Sequence, residues 1–199
     1  MNVVLIYGGK SGEHEISLLS CASVIRNISA NHNVSLISIS KGGKWYLEDN
    51  SVFEEVRGNP EAALCVHEDD SREVKVSFGR GKDNVFFACG NYIPCDIVFP
   101  ILHGTYGEDG TVQGVFEMAG VPFVGCGVLA SSAAMDKETT KILLKNEGIP
   151  VVPYMCLSRS QINSSSLYDK LIEEAIEKLE FPLFVKPCAA GSSDGASLA

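Results

Sequence analysis

The stretch "VVLIYGG" at residues 3–9 is a run of five apolar side chains that ends in two glycines. An apolar run without polar alternation is typical of a parallel strand that is buried on both faces of a sheet. Apolar residues then recur at helical spacing over residues 18–28, and a second strand-like run, "VSLISIS", occupies residues 34–40. Strand, helix and strand within about forty residues predict a right-handed βαβ unit.

Residues 41–125 continue this pattern after an interruption. Short strand-like pieces separated by polar turns fill residues 41–93 and predict an inserted set of antiparallel strands. The apolar run "DIVFPIL" at 96–102 predicts another buried strand, which leads into a glycine-rich loop. A short helix at 112–120 and a last buried strand, "VPFVG" at 121–125, complete the predicted first domain.

The second part of the chain is predicted to begin another domain. Helical periodicity covers residues 129–148 and 164–180, and the strand "FPLFVKP" at 181–187 follows. No strand is expected after the glycine-serine loop that comes next. We therefore predict an α/β protein, with a Rossmann-like parallel-sheet domain at 1–128 and the start of an incomplete second domain at 129–199.

The composition is that of a globular protein and argues against several functional classes. The 199 residues are 45% hydrophobic and 21% charged, which is enough apolar material to bury a core. The net charge of −9 argues against a nucleic-acid partner, because phosphate backbones are bound by an excess of lysine and arginine. Seven scattered cysteines without a CxxC pair match neither a disulfide framework nor a zinc site.

Membrane and secretory segments are not expected. The N-terminus lacks a basic region, and its apolar run is too short for a signal peptide. No apolar stretch reaches the length of a membrane span. We therefore expect a cytoplasmic protein without a membrane partner.

Three loops follow predicted strands, at 8–17, 103–114 and 187–195. Ligands of open α/β sheets bind at this end of the strands. Glu13, in the first loop, lies next to a helix start, where it could equally cap the helix or bind a ligand. The second loop, "HGTYGEDGTVQG", combines His103 with four glycines, and this composition favours a binding loop over a solvated turn.

Lys186, which directly precedes the third loop, favours phosphate chemistry. Lys186 lies in the apolar run "FPLFVKP" and would be costly to bury unless its ammonium met an anion. The amides of "GSSDG" at 191–195 could form an anion-binding nest, and Lys137 fits either a solvated helix surface or a phosphate contact. Lysine beside a flexible loop over phosphates is typical of phosphoryl transfer. The sequence lacks the P-loop and GxGxxG patterns, which argues against a P-loop enzyme and a dinucleotide oxidoreductase.

Five motifs together resemble the D-alanine–D-alanine ligases of the ATP-grasp superfamily: "GGKSGEHEIS", "HGTYGEDGTVQG", "GVLASSAAMDKETTK", "FPLFVKP" and "GSSDG". Their order and spacing match over the whole chain, and "HGTYGEDGTVQG" matches the family's first signature at every defined position. The resemblance implies a pre-ATP-grasp N-terminal domain followed by the first part of an ATP-grasp domain.

The resemblance also implies a reaction. In the family, ATP phosphorylates the carboxylate of one D-alanine, and the amine of a second D-alanine attacks the acylphosphate to give D-alanyl-D-alanine for peptidoglycan. ATP, Mg²⁺ and D-alanine are therefore the implied cofactors and substrates, and a homodimer is the implied assembly.

Site residues are carried over from the family motifs one by one. Glu13 is implied to bind the ammonium of the first D-alanine and to act in catalysis with Ser192, while His103 borders that substrate. Glu108 and Asp109 are expected to brace their loop. The implied contacts to the ATP phosphates are Lys137, Lys186, Gly191, Ser192 and Ser193.

Two departures from the family pattern are visible. Asp194 replaces the small apolar residue of "GSS-x-G" and places a negative charge beside the implied phosphate site. The family's magnesium ligands, adenine contacts and lid lie farther along its sequences than Ala199, so this chain is expected to be an N-terminal portion that is inactive alone. The open alternatives are a D-alanine–D-lactate or D-alanine–D-serine ligase and a non-catalytic D-alanine-binding fragment.

Overall fold

The computed structural model describes residues 1–81 and 84–199, and the chain divides into two compact units, Met1–Ser132 and Ala133–Ala199. The strands, in chain order, are β1 Asn2–Gly8, β2 Asn33–Ile39, β3 Trp45–Leu47, β4 Lys75–Val76, β5 Phe86–Ala88, β6 Asn91–Tyr92, β7 Ile97–Ile101, β8 Phe184–Val185 and β9 Ser197–Leu198. The helices are α1 His14–Asn27, α2 Asn50–Gly58, α3 Thr111–Ala119, α4 Val128–Met135, α5 Lys137–Asn146, α6 Arg159–Ile162 and α7 Ser165–Leu179, with a 3₁₀ turn at Asp70–Arg72.

The main sheet of the first unit has the strand order β3-β2-β1-β7. Strand β1 pairs in parallel with β2 and with β7, and β3 closes one edge as an antiparallel strand. The predicted α/β class is confirmed, as are three of the four predicted buried strands, those at 3–7, 34–40 and 96–102. The carboxyl ends of β1 and β7 therefore lie side by side, which brings the loops that follow them together.

Strand β1 is buried on both faces, as its unbroken apolar run predicts. Val3, Leu5 and Tyr7 belong to one core cluster with buried side chains of α1 and α2. Val4 and Ile6 belong to a second cluster with side chains of the three-stranded antiparallel sheet β4-β5-β6 and of α3. Two covered faces remove the need for polar alternation along the strand.

The stretch 41–93 contains the predicted antiparallel strands together with helix α2, which the sequence analysis did not predict. Residues 82 and 83 of this stretch lie outside the described residues. Asp49 begins the helix, because its side chain accepts a hydrogen bond from the Ser51 amide. Phe53 and Val56, one helical turn apart, are its buried side chains, so α2 is held by packing on the sheet more than by its own short sequence.

Two elements around residues 121–148 differ from prediction. The expected strand at 121–125 is only a single bridge between Val98 and Phe123, because Pro122 has no amide hydrogen to donate. The expected single helix at 129–148 is interrupted at Asp136, whose side chain accepts from the Thr139 amide at 2.8 Å and so starts α5. An aspartate in this position is a standard helix N-cap.

The second unit contains the predicted amphipathic helix α7 and a two-stranded sheet. Strands β8 and β9 pair antiparallel, so the expectation that no strand follows the glycine-serine loop was wrong. Lys186 lies directly after β8, and both residues of that strand are more than half exposed, Phe184 at 69% and Val185 at 59%. In the part of the chain that the structure describes, no helix is long and apolar enough to cross a membrane.

Candidate functional site

Ser17 joins the ends of β1 and β7 to helix α1. Its hydroxyl accepts a hydrogen bond from the Gly8 amide at 2.8 Å and donates to the Ile101 carbonyl. The Ser17 side chain is fully buried, so each bond is made without competition from water. This arrangement fixes the starting points of the loops after both strands.

Glu13 and His103 are brought together by Ser11. The Ser11 hydroxyl donates to the His103 carbonyl at 2.7 Å and accepts from the Glu13 amide at 3.2 Å. Ser20 lies 3.1 Å from Nε2 of the His103 ring. Glu13 and His103 were predicted from the sequence, but Ser11 and Ser20 were not, because the partner of a serine hydroxyl is decided only when the chain has folded.

The Glu13 carboxylate lies against the glycine loop. Glu13 occupies the N-cap position of α1 but its side chain makes no capping hydrogen bond, so helix capping does not account for this acid. A Cβ atom on Gly104 would lie 2.8 Å from Glu13 Oε2, and Gly104 has a φ of +68°. Glycine at position 104 therefore allows the loop backbone to approach the carboxylate.

The two neighbours of Glu13 have structural contacts. His14 is buried, and its Nδ1 atom lies 2.7 Å from the Gly9 carbonyl. A carbonyl oxygen only accepts, so Nδ1 is the protonated nitrogen of this ring. Glu15 is exposed and forms an ion pair with Lys41 at 2.8 Å; the hydrogen bond and charge of Lys41 lower the pKa of Glu15.

The loop 103–114 is braced by its own side chains. Glu108 Oε2 accepts from the Gly104 amide at 2.7 Å, and Asp109 accepts from the amides of Tyr106 at 2.8 Å and Thr111 at 2.9 Å. Burial alone would raise the pKa of Asp109, but the hydrogen bonds from Thr111 and Tyr106 outweigh it and lower the pKa below its ordinary value of 3.8. These contacts agree with the expected bracing role of both acids.

A cavity of about 180 Å³ lies beside these loops in the first unit. Its walls include Lys10, Trp45, His103 and Tyr106, and the Lys10 ammonium is 5.5 Å from the centre of the Tyr106 ring. A larger cavity of about 320 Å³ is lined by residues of β3, β6 and the turn around Cys89. The larger cavity contains none of the predicted site residues, so it gives no support to a site there.

In the second unit, Lys137 is bonded to the loop after β8. The Lys137 amide donates to the Cys188 carbonyl at 3.0 Å, and its ammonium donates to the Ala190 carbonyl. The structure therefore places Lys137 beside the glycine-serine loop, which includes the predicted residues Gly191, Ser192 and Ser193. This placement distinguishes Lys137 from an ordinary solvated helix residue.

Lys186 has a different environment from the one predicted. Its side chain is exposed, and its ammonium lies 5.5 Å from the centre of the Phe184 ring. Because β8 is exposed as well, the burial penalty that the sequence analysis used as an argument for an anion partner does not arise here. Lys186 is within six residues of the glycine-serine loop, which is the remaining reason to connect it with phosphate.

The loop 191–196 is folded on itself in two turns. The Asp194 amide donates to the Gly191 carbonyl at 2.9 Å, and the Ala196 amide donates to the Ser193 carbonyl at 3.0 Å. A phosphate nest cannot use these two amides without breaking the turns. Ser192 and Ser193 have positive φ values of 46° and 62°, and the Asp194 side chain is exposed.

The described residues contain no cluster of side chains that would hold a metal ion by themselves. Across residues 1–81 and 84–199, no group of three or more His, Cys, Asp or Glu side chains could hold a metal ion. Mg²⁺ takes oxygen ligands, most often one or two carboxylates together with substrate phosphates.

Comparison with known proteins assigns the family. The model of the D-ala D-ala ligase N-terminus matches residues 2–126, and the model of the D-ala D-ala ligase C-terminus matches residues 143–199. The chain belongs to the D-alanine–D-alanine ligase family. Among curated ligases, that of Treponema denticola is 44% identical over 198 residues, and that of Bifidobacterium animalis subsp. lactis is 43% identical over 208 residues.

Solved ligase structures are similar over nearly the whole chain. The VanG D-Ala:D-Ser ligase of Enterococcus faecalis has a TM-score of 0.79 at 36% identity, and the match covers 99% of this chain and 55% of that one. The D-alanine–D-alanine ligase of Coxiella burnetii has a TM-score of 0.79 at 30% identity, with 100% and 54% covered. The T. denticola and B. animalis matches cover 100% and 98% of this chain and 54% of each ligase, so the chain spans about half the length of the curated relatives it matches.

Proposed function

We propose that this chain forms the N-terminal part of an ATP-dependent ligase that joins two D-alanine molecules. The observation that carries the proposal is the cluster in which Ser11 connects Glu13 with His103 at the ends of β1 and β7. Family membership supports the same reaction. The proposed division places the ligase N-terminal domain at 1–128 and the first part of the ATP-grasp domain at 129–199.

The first D-alanine is proposed to bind at Glu13. Its ammonium donates to the Glu13 carboxylate, a charge-assisted hydrogen bond that is stronger than a neutral one. His103 borders the substrate and is oriented by Ser20. Gly104 has no side chain, which lets the loop backbone pack closely against the Glu13 carboxylate that receives the ammonium.

Phosphoryl transfer is proposed to occur at the loop of the second unit. A carboxylate oxygen of the first D-alanine attacks the γ-phosphorus of ATP, and ADP leaves. Lys137 and Lys186 offset the charge of the phosphates, while Gly191, Ser192 and Ser193 cover them and Ser192 takes part in catalysis. The amine of the second D-alanine then attacks the acyl carbon, the amide bond forms, and phosphate leaves.

The whole ligase is proposed to act in the cytoplasm as a homodimer and to supply D-alanyl-D-alanine for peptidoglycan. Mg²⁺ is proposed as its metal ion, held by the ligands that lie farther along the family's sequences than Ala199. Nucleic acid and membrane partners are not proposed. The acidic net charge of −9 supports the first exclusion.

The proposal can be tested with a chimera in which this chain is followed by the C-terminal part of the T. denticola ligase. The measurement is phosphate release that depends on D-alanine. We expect turnover from the chimera and none from the 199-residue chain alone. Binding of D-alanine by the chain, without turnover from the chimera, would support the non-catalytic fragment instead.

Glu13→Gln tests the substrate site in the same chimera. Removing one charge-assisted hydrogen bond of about 1.5–3 kcal/mol should raise the KM for the first D-alanine by about 10- to 100-fold. Glu15→Gln is the matched control, because Glu15 is exposed and pairs with Lys41. Equal kinetics for both variants and the unmodified chimera would show that Glu13 does not bind the substrate.

Lys186→Met and Asp194→Val test the phosphate site. Lys186→Met should weaken ATP binding, because a cation near the phosphates is lost. Lys178→Met is its control, since Lys178 forms a surface pair with Glu174. Asp194→Val should tighten ATP binding or leave it unchanged, and tenfold weaker binding would mean that this carboxylate helps to hold the nucleotide.

A D-alanine–D-serine ligase is the second candidate. The structure of the E. faecalis D-Ala:D-Ser ligase matches this chain with the same TM-score, 0.79, as the C. burnetii D-alanine–D-alanine ligase. Competition between D-alanine, D-serine and D-lactate as the second substrate separates the candidates in the native full-length ligase. Exclusive formation of D-alanyl-D-alanine would reject the second candidate.

A further inference from the structure

Two cysteines of the second unit lie close together. Cys156 and Cys188 are 32 residues apart in sequence, and their sulfur atoms are 3.5 Å apart. Both thiols are free and half-buried. The sequence gives no sign of this pair, because neither cysteine belongs to a CxxC motif.

The pair connects two segments that carry little regular structure. Cys156 lies in the extended segment 149–157, before the short helix α6, and Cys188 lies in the loop after β8. The carbonyl of Cys188 accepts the Lys137 amide at 3.0 Å. A covalent bond between the two sulfurs would therefore fix the loop beside Lys137 to a second point of the chain.

We propose that Cys156 and Cys188 form a reversible intramolecular disulfide when the protein meets a peroxide. The sulfur atoms must approach from 3.5 Å to a bond length of about 2.0 Å. Rotation about the Cα–Cβ bonds of two half-buried side chains can supply this movement.

The oxidation begins at Cys188. Burial, together with the neighbouring Glu138 carboxylate and Cys188 sulfur, raises the pKa of Cys156 to about 12, which disfavours Cys156 as the first thiolate nucleophile. The Cys188 sulfur attacks one peroxide oxygen, the O–O bond breaks, and Cys188 becomes a sulfenic acid with release of water from hydrogen peroxide. The Cys156 sulfur then attacks the Cys188 sulfur, and the hydroxyl leaves as a second water with the Cys156 proton.

The two cysteines supply two electrons and two protons, which balance the reduction of one peroxide to two waters. A dithiol reductant reverses the bond by thiol–disulfide exchange. The disulfide removes freedom from the unfolded chain by closing a loop between positions 156 and 188. The oxidised second unit is therefore expected to resist unfolding and proteolysis in the segment 157–187 better than the reduced one.

The test uses the 199-residue chain at low concentration, treated with a stoichiometric amount of hydrogen peroxide. Remaining thiols are alkylated under denaturing conditions, and peptides are mapped by mass spectrometry with and without dithiothreitol. We expect the number of free thiols to fall by two from seven, with one cross-linked species that contains Cys156 and Cys188. Absence of that species in the wild-type chain would overturn the proposal without any need for a variant.

Variants sharpen the assignment. Cys156→Ser and Cys188→Ser should each abolish the cross-link, whereas Cys126→Ser should retain it, because Cys126 is exposed elsewhere in the chain. In Cys156→Ser, dimedone should trap a sulfenic acid at Cys188. In Cys188→Ser, dimedone should trap no sulfenic acid at position 156. If dimedone instead labels Cys188→Ser at position 156, the assigned order of attack is wrong; if a cross-link persists in both variants, the pair itself is wrong.

Discussion

The loop 103–114 of the first unit and the loop 187–196 of the second both follow a strand, but different contacts hold them. In the first loop, Glu108, Asp109 and Gln113 bond to backbone atoms of the loop itself, and the strand before it belongs to a buried sheet. The second loop follows the exposed strand β8 and contains two small turns. The first loop is therefore held by its own side chains, whereas the second is held by its two turns and by the hydrogen bonds from Lys137 to the Cys188 and Ala190 carbonyls.

The backbone conformations show the same contrast. Gly104, Gly110 and Tyr106 take positive φ values in the first loop, whereas Ser192, Ser193 and Gly195 take them in the second, so the second loop has two non-glycine residues in this region and the first has one. A left-handed conformation costs an ordinary residue about 1–2 kcal/mol. The second loop therefore keeps serine hydroxyls at the expense of backbone strain, which is a common property of functional loops.

The largest expected effect comes from Ser17→Ala, which removes the hydrogen bonds at the strand ends from which the loops of the first unit start. Removing the hydroxyl leaves the buried Gly8 amide and Ile101 carbonyl without the bonds described above, and the loss should be about 2–4 kcal/mol of unfolding free energy. Urea denaturation followed by fluorescence of Trp45, the single tryptophan, measures the first unit. Ser23→Ala, at an exposed position of α1, is the control and should change stability by less than about 0.5 kcal/mol.

Gly104→Ala should have the next largest effect. A Cβ atom would meet Glu13 Oε2 at 2.8 Å, and the φ of +68° disfavours alanine, so we expect a loss of about 1–3 kcal/mol. Gly12→Ala is the control, because a Cβ atom there meets nothing within 4 Å. Trp45 fluorescence measures the unfolding of both variants in urea. Equal unfolding midpoints for Gly104→Ala and Gly12→Ala would mean that the stability of the first unit does not depend on the close approach of Gly104 to Glu13.

Asp109→Asn should destabilise the first unit by about 1 kcal/mol at neutral pH, a modest value because the carboxylate is partly exposed to solvent. The folded pKa of Asp109 lies below its ordinary value of 3.8. The ionised carboxylate therefore adds stability above that value and loses it as the pH falls through the folded pKa. In denaturation curves from pH 7 to pH 3, the stability gap between the two proteins should begin to narrow as the pH falls below 3.8; a constant gap would assign the effect to shape instead of charge.

The smallest expected change in stability is in the loop 187–196 of the second unit. Ser193→Gly removes backbone strain at a φ of 62° and should raise stability by at most about 1 kcal/mol. Ser166→Gly, in helix α7, should have the opposite sign because glycine weakens a helix. The Ala196 amide donates to the Ser193 carbonyl, so its hydrogen exchange rate measures the stability of this turn. Faster exchange in Ser193→Gly than in the unmodified chain would show that Ser193 does not strain the turn.

Local sequence patterns predicted the elements whose burial follows directly from their own residues, such as β1. The unbroken run at β1 requires cover on both faces, and the rule for strand ends then placed Glu13 and His103 on neighbouring loops. Helix α2 and strand β9 were missed for a shared reason. Each is too short to show a clear periodicity, and each depends on its packing or pairing: α2 on the core cluster that contains Leu5, and the two-residue β9 on β8.

Side-chain contacts within the site were less predictable than its position. Ser11 and Ser17 bond to carbonyls that are 92 and 84 residues away, and no local pattern indicates which carbonyl a serine will meet. The burial argument for Lys186 failed because an apolar run was assumed to be a buried strand. The bond between Lys137 and Ala190 spans 53 residues and likewise depends on tertiary structure.

The small sheet β4-β5-β6 limits which insertions and deletions the gene can tolerate. Val85, Phe86 and Ala88 lie in the same core cluster as Val4 and Ile6, so deletion of the sheet would expose one face of the central strand. Gly79 lies in a different setting, since it is exposed and a Cβ atom there would meet nothing within 4 Å. Length variation among related genes is therefore expected at the turn near Gly79, while the flanking strands keep their number and spacing.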